Sequence, residues 1–155
     1  MSKYRLQIKW VNNMSNRIEI ENKIWCYNNK IELCNDDIFS IKKEVEKLEQ
    51  LLDSINQMCS KFIECQDNRI NAVKKISRLS VNAKMTDEYY NGMKNLLSGN
   101  ESSHVANGLQ SAKQNVDDKI CELRQKIAQK QAEVYDYQNI ISGLYNELYT
   151  LSDDE

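Results

Sequence analysis

Apolar side chains recur along this chain every three or four positions. Ile24, Ile31, Ile38, Val45, Leu52 and Cys59 form one column, and Tyr27, Cys34, Ile41, Leu48, Ile55 and Phe62 form a second. A strand, with its period of two, cannot produce that spacing. A helix that buries one seam against another helix produces it directly. After Phe62 the phase slips by one, and Ile63, Ile70, Val73, Ile76 and Leu79 are expected to carry the stripe. Such a slip unwinds a supercoil locally without ending the helix. Asn35-Asp36-Asp37 could cap a new helix start. The stripe keeps its phase straight through it, so a nearly continuous helix is predicted, with room for a bend there.

A second run begins near Ser103. Val116, Ile120, Leu123, Ile127, Lys130, Val134, Tyr137, Ile141, Leu144, Leu148 and Leu151 again alternate steps of four and three. Lys130 is the one polar break, and a single polar seam position often fixes register at some cost in stability. Gly143 lies off the stripe and weakens the helix only locally. Asp117, Asp118, Lys119, Glu122, Arg124, Lys126 and Glu133 read as a solvated face.

Punctuation separates the two runs. Thr86-Asp87-Glu88 has a hydroxyl cap followed by acids, a good helix start. Tyr89, Tyr90, Met93, Leu96 and Leu97 then make a short amphipathic helix, and the stretch 98–103 ends it. The pattern predicts an all-α fold: a long antiparallel helical hairpin or coiled coil with a short connecting helix. In one domain, 1–35 forms an N-terminal helical extension and 36–80 the first long arm. The connecting helix covers 86–97, the second arm 103–151, and an acidic tail 152–155. At about 1.5 Å per residue, an arm of about 50 residues reaches about 75 Å. The first run is longer than the second can cover, so part of 1–35 is expected to pack on a partner or a second copy. Tyr4, Leu6, Ile8 and Trp10 alternate like a strand, yet a lone strand has no mate here. Residues 3–34 are therefore read as mostly helical. Trp10 and Trp25 are the large apolar groups least used by the hairpin, and exposed Trp can anchor an interface.

Composition narrows the function. The 155 residues contain no Pro and only 4 Gly, too little punctuation for a loop-rich or β-rich fold. Hydrophobic residues are 41% of the chain while mean hydropathy is −0.69, as expected when each helix buries a single stripe. A net charge of −2, with basic residues interleaved among acids, gives no stripe for nucleic acid or an anionic membrane. No stretch approaches the roughly 20 apolar residues of a membrane span. The charged start leads into no signal-peptide core, so neither a transmembrane anchor nor a cleavable Sec signal is expected. Five Cys, none in a CxxC spacing, favour reduced and mostly buried thiols over disulfides or zinc.

Catalytic chemistry finds no constellation. His104 is the sole histidine and has no triad-like neighbours in sequence. A di-metal bundle needs two Glu-x-x-His pairs, which a chain with one His cannot supply. Gly92 and Gly99 lack the Lys and strand of a phosphate loop. The chain is expected not to be an enzyme and to need no cofactor. Recognition by helix against helix remains.

The layout resembles the small helical partner proteins encoded with LXG toxins in bacterial type VII secretion, relatives of the WXG-type helical hairpins. Tyr90-Asn91-Gly92 looks like that family's Trp-x-Gly turn, with Tyr in place of Trp. The run 42–79 resembles the first arm and the run 111–148 the second; residues 1–37 extend beyond the usual start. Tyr149-Thr150-Leu151-Ser152-Asp153 fits the Tyr-x-x-x-Asp/Glu export signal of type VII substrates, just past the expected end of the second helix.

The resemblance implies a cytoplasmic targeting partner or chaperone, exported with its cargo through a type VII system. It would pair with the helical N-terminal segment of a larger toxin through stripe residues the hairpin does not consume: Trp10, Val11, Met14, Ile18, Ile24, Trp25 and Ile31. The competing reading is a coiled-coil scaffold or adaptor that self-associates.

Overall fold

The computed structural model describes residues 2–77 and 83–153, with side chains described for residues 14–75, 84, 85, 87–100 and 102–151. Helix α1 runs Ser2–Ser77, α2 Ala83–Ser98 and α3 Asn100–Asp153. Among the described residues there is no strand. The chain is all-α, with its two long helices in a hairpin-like arrangement, as the seam pattern predicts.

Nothing in α1 interrupts the backbone ladder, since no Gly or Pro lies in it. The helix passes through Asn35-Asp36-Asp37 unbroken. Cys34 and Ile38 are buried on either side of that triplet, and seam packing overrides the local preference of Asn and Asp for caps. The stretch holding Tyr4, Leu6, Ile8 and Trp10 is helical too.

The connection departs from expectation at two points. Helix α2 begins at Ala83, so Thr86-Asp87-Glu88 lies inside it rather than capping it. Tyr90-Asn91-Gly92 also lies within α2 and is not a turn. Gly92 has no positive φ, and a side chain there would meet open space. A helix interior tolerates such a glycine for about 1 kcal/mol. The break falls at Gly99 instead. A Cβ at Gly99 would collide with the Asn95 carbonyl oxygen, so this bend requires a residue without one. α3 then starts at once, with the Ser103 N–H donating to the Gly99 carbonyl at 3.2 Å.

The chain divides into two compact units, Met1–Glu44 with Leu123–Glu155, and Val45–Glu122. In the first, α1 and α3 run antiparallel. Asp37 meets Lys130, Cys34 meets Glu133, and the Tyr27 and Tyr137 rings stand 5.6 Å apart. Ile20, Ile24 and Ile141 form its core, with Tyr27, Ile31, Leu144, Leu148 and Leu151 packed around them. Leu123 is also buried. Each such side chain contributes roughly 1.5–3 kcal/mol when withdrawn from water.

In the second unit Val45, Ile55, Val73, Leu97 and Ile120 are buried. Here the seam corrects one expectation. Ile63 is 60% exposed and does not carry the stripe. The half-buried row runs Phe62, Gln66, Ile70, so the place after Phe62 is taken by a polar residue. The steps there are four and four before three, a stutter built on an amide. Gln66 Nε2 donates to Ser102 Oγ at 3.2 Å, while its Oε1 is buried with no hydrogen-bond partner. Ile76 and Leu79 lie outside the described side chains.

The thiols are all free, yet only Cys34 is buried. Cys59 is half-buried, and Cys26, Cys65 and Cys121 are exposed, against the expectation of mostly buried thiols. The reason is geometric. Cys34 and Cys59 sit in the seam columns, whereas the other three occupy outer helix positions.

Candidate interaction surface

The seams assign every residue of the first unit a place around its helix. Let a denote the column of Ile24, Ile31 and Ile38 and d the column of Ile20, Tyr27 and Cys34. On α3, Ile127, Val134, Ile141 and Leu148 are a, and Lys130, Tyr137, Leu144 and Leu151 are d. In an antiparallel pair the g positions of both helices flank one side of the seam and the e positions the other.

The g side is identified by its contacts. Lys23 and Glu147, both g, feel each other's charge. They line a hollow of about 380 Å³ with Asn16, Glu19, Ile20, Thr150 and Leu151. Lys23 Nζ also binds Glu19 at 2.7 Å, which holds the Lys23 ammonium above its usual range and the Glu19 carboxyl below its own. Lys30 Nζ stands over the Tyr27 and Tyr137 rings at 4.8 and 5.5 Å. Lys130 Nζ reaches Asp37 at 3.2 Å and Glu133 at 3.7 Å, and is raised by Asp37 first and Glu133 second. Cys34 Sγ donates to Glu133 Oε2 at 3.6 Å; burial, then this bond, pushes its thiol up. This flank is a lattice of alternating charges, joined by the exposed Leu33 and Ile140.

The other flank, made of e, b and f positions, is different. On α3 it carries Gln125, Ala128, Gln131, Ala132, Tyr135, Gln138, Asn139, Ser142, Tyr145, Asn146 and Tyr149, with no charge among them. On α1 it carries Met14, Ile18, Asn22, Trp25, Asn28, Asn29 and Asn35, with Phe39 beyond. Met14, Ile18, Trp25, Phe39, Tyr135, Tyr145 and Tyr149 are all exposed, Trp25 at 68% and Tyr149 at 72%. Glu21 is tied to Arg17 at 3.1 Å, and Glu32 and Asp36 complete its acids. Aromatic residues and Met with few charges is the composition that marks the centre of protein interfaces.

The residues expected to bind a partner therefore divide. Met14, Ile18 and Trp25 lie on the neutral flank, exposed. Ile24 is buried in the unit's own core and Ile31 packs against it, so these two are consumed by α3. The reason is that α3 extends far enough to place Leu148 and Leu151 against the Ile20–Ile24 turn. The side chains of Trp10 and Val11 lie outside the described residues. Tyr135 and Tyr145 were not expected at this surface. Their signal was the lack of charge around them rather than any spacing.

The tail motif also changes character. Residues 149–153 lie within α3 rather than beyond it. A four-residue step then puts positions 149 and 153 on one helix face. The Asp153 side chain lies outside the described residues.

In the second unit, Ile70, Val73, Lys74, Tyr90, Lys94, Leu97 and Ser98 line a hollow of about 310 Å³, which places Tyr90 against α1. His104 is exposed on α3. Among the described residues no group of three or more His, Cys, Asp or Glu could hold a metal ion, and no helix is long and apolar enough to cross a membrane. No family model, no curated protein and no solved structure matches this chain.

Proposed function

We propose that this chain is a non-catalytic helical partner, a targeting chaperone that pairs with the helical N-terminal segment of a larger secreted toxin for type VII secretion. The observation that carries this reading is the exposed neutral flank of the first unit. Trp25, Ile18, Met14, Tyr135, Tyr145 and Tyr149 stand in water on rigid helices, among more amides than charges. Rigid aromatic groups in such a setting suit helix docking and offer no chemistry for turnover. Helical continuation through position 153 supports reading the Tyr-x-x-x-Asp run as a signal displayed on a helix face.

Co-expression with the N-terminal helical segment of an LXG-type toxin from the same genome, followed by mass measurement, tests the pairing. A stable heteromer is expected. A self-associated assembly that ignores those helices overturns it in favour of a scaffold. The tail is tested separately by Asp153→Ala in the same complex: pairing should persist while export stops, and export that survives removes the signal.

A further inference from the structure

On that reading of the chain as a helix-docking partner, the placement of the exposed groups says more about what covers them. In the first unit the large apolar side chains of the neutral flank sit mostly at b: Ile18, Trp25 and Phe39 on α1, with Glu32 between the last two, and Tyr135 and Tyr149 on α3. The e positions, which border the groove between the helices, are mainly polar: Glu21, Asn28 and Asn35 on α1 and Gln131 and Gln138 on α3, with Met14 and Tyr145 the apolar ones. A single helix lying in that groove would cover the e rows and leave both b rows in water. The b rows stand on the outer shoulders of the two helices, one on each.

The rim is one-sided in charge. Between Met14 and Asp36 the flank's charged groups are Glu21, Glu32 and Asp36, and the Glu21 carboxylate is already held by Arg17. Its basic residues, Lys42, Lys43 and Arg124, stand only at the far end, where Lys43 Nζ lies over Phe39 at 4.3 Å. A second copy laid on the same stretch would bring more carboxylates to an acidic rim, and like charges across an interface work against association.

The extent fits a specific contact. From Met14 to Phe39 α1 rises about 38 Å, and two packed helices present a face about 20 Å wide. The product, about 750 Å², matches the roughly 800 Å² that one partner gives to a standard interface.

We infer that the neutral flank of the first unit is covered by a different chain presenting a face two helices wide. That face is apolar where it meets Trp25 and Tyr135, and basic where it meets Glu32, between Trp25 and Phe39 in the b row, and Asp36 beside it. The charged flank, with its ions paired among themselves, stays in water.

The test uses the full chain and, as probe, the N-terminal helical segment of an LXG-type toxin from the same genome, with affinity measured by calorimetry. Trp25→Glu and Tyr135→Glu, on different helices, should each weaken binding by more than about tenfold, as central aromatic anchors do. Glu32→Lys combined with Asp36→Lys should weaken it by about threefold or more and reduce its salt dependence. Lys23→Ser, on the other flank, should change it by less than about twofold. A probe cut to any single helix should bind at least about tenfold more weakly than the two-helix segment. The exposed positions should leave the melting curve of the chain unchanged, which separates lost contact from lost fold.

A complex indifferent to Trp25→Glu and Tyr135→Glu overturns this assignment while leaving the chaperone reading intact. Equal binding by a single helix overturns the two-helix face. A homodimer of the chain alone that Trp25→Glu dissociates makes a second copy the occupant and overturns the commitment to another chain. If the probe forms no complex at all, the chaperone reading fails and this inference falls with it.

Discussion

Lys130 in the first unit and Gln66 in the second are polar side chains at seam positions, and their surroundings treat them in opposite ways. Lys130 has a stem long enough to leave the seam. Its ammonium reaches the charged flank, bonds Asp37, attracts Glu133 and keeps a third of its side chain in contact with solvent. Gln66 is too short to escape. Its amide nitrogen finds Ser102, while its oxygen is buried without a partner. The difference teaches that a polar interruption costs by its reach as much as by its polarity. A charge that can extend to water and to carboxylates is tolerated, whereas a neutral amide held in place leaves part of its desolvation uncompensated.

Four substitutions and one labelling experiment can break or sharpen that contrast. The largest effect belongs to the apolar layers between which both residues sit. Leu123→Ala should destabilise by about 2–5 kcal/mol in chemical denaturation, the range of buried leucine truncation, and a loss below about 1 kcal/mol would mean the seam is looser than described. Next comes Gln66→Leu, which removes the unpartnered oxygen and extends the apolar row. It should stabilise by about 1 kcal/mol, and a loss instead would mean that water or a rearranged partner satisfies Oε1.

Lys130→Met should lie close to neutral at pH 7, because the exposed ion pairs it deletes are weak. Its signature is in the pH profile. The Lys130 ammonium is raised by Asp37 and Glu133, so its contribution is whole below the ordinary ammonium range and is lost as pH rises through the raised value. The wild-type melting temperature should therefore fall more than that of Lys130→Met on moving into strongly alkaline buffer; parallel profiles would show that the clasp does not couple to folding. A matching control, Lys23→Met, should behave alike, because Glu19 raises Lys23.

The smallest effect is one of rate. Cys34, buried and pushed up beside Glu133, should be the last thiol labelled by iodoacetamide at mildly alkaline pH, behind the exposed Cys26, Cys65 and Cys121. Equal labelling would mean that the Cys34–Glu133 layer opens readily.

The helical seams were legible because they follow from geometry alone. Ile24 to Phe62 and Val116 to Leu151 are spaced as a helix must space what it buries, and both runs are helical. Misreadings arose where the pattern demanded an apolar residue and the fold used a polar one. Ile63 drew the stripe because Gln66, at the true seam position, carries an amide. Tyr90-Asn91-Gly92 drew a turn because its letters look like one, while the bend depends on a collision at Gly99 that no letter displays. The interaction surface was half visible. Ile18 and Trp25, seven apart and off the main columns, marked one edge of it. Ile24 and Ile31 were grouped with them although both belong to a seam column, where a mate on α3 was to be expected. The α3 side could be recognised only after the register put Tyr135 and Tyr145 beside them.

Gly99 sets the rotational phase of everything before it. Because the bend exists only where a methyl group is missing, it cannot drift by a residue in either direction without a new glycine. Inserting or deleting one residue between Gly99 and Ser102 would swing α2 by about 100° about its axis and carry Leu97 off the face it buries.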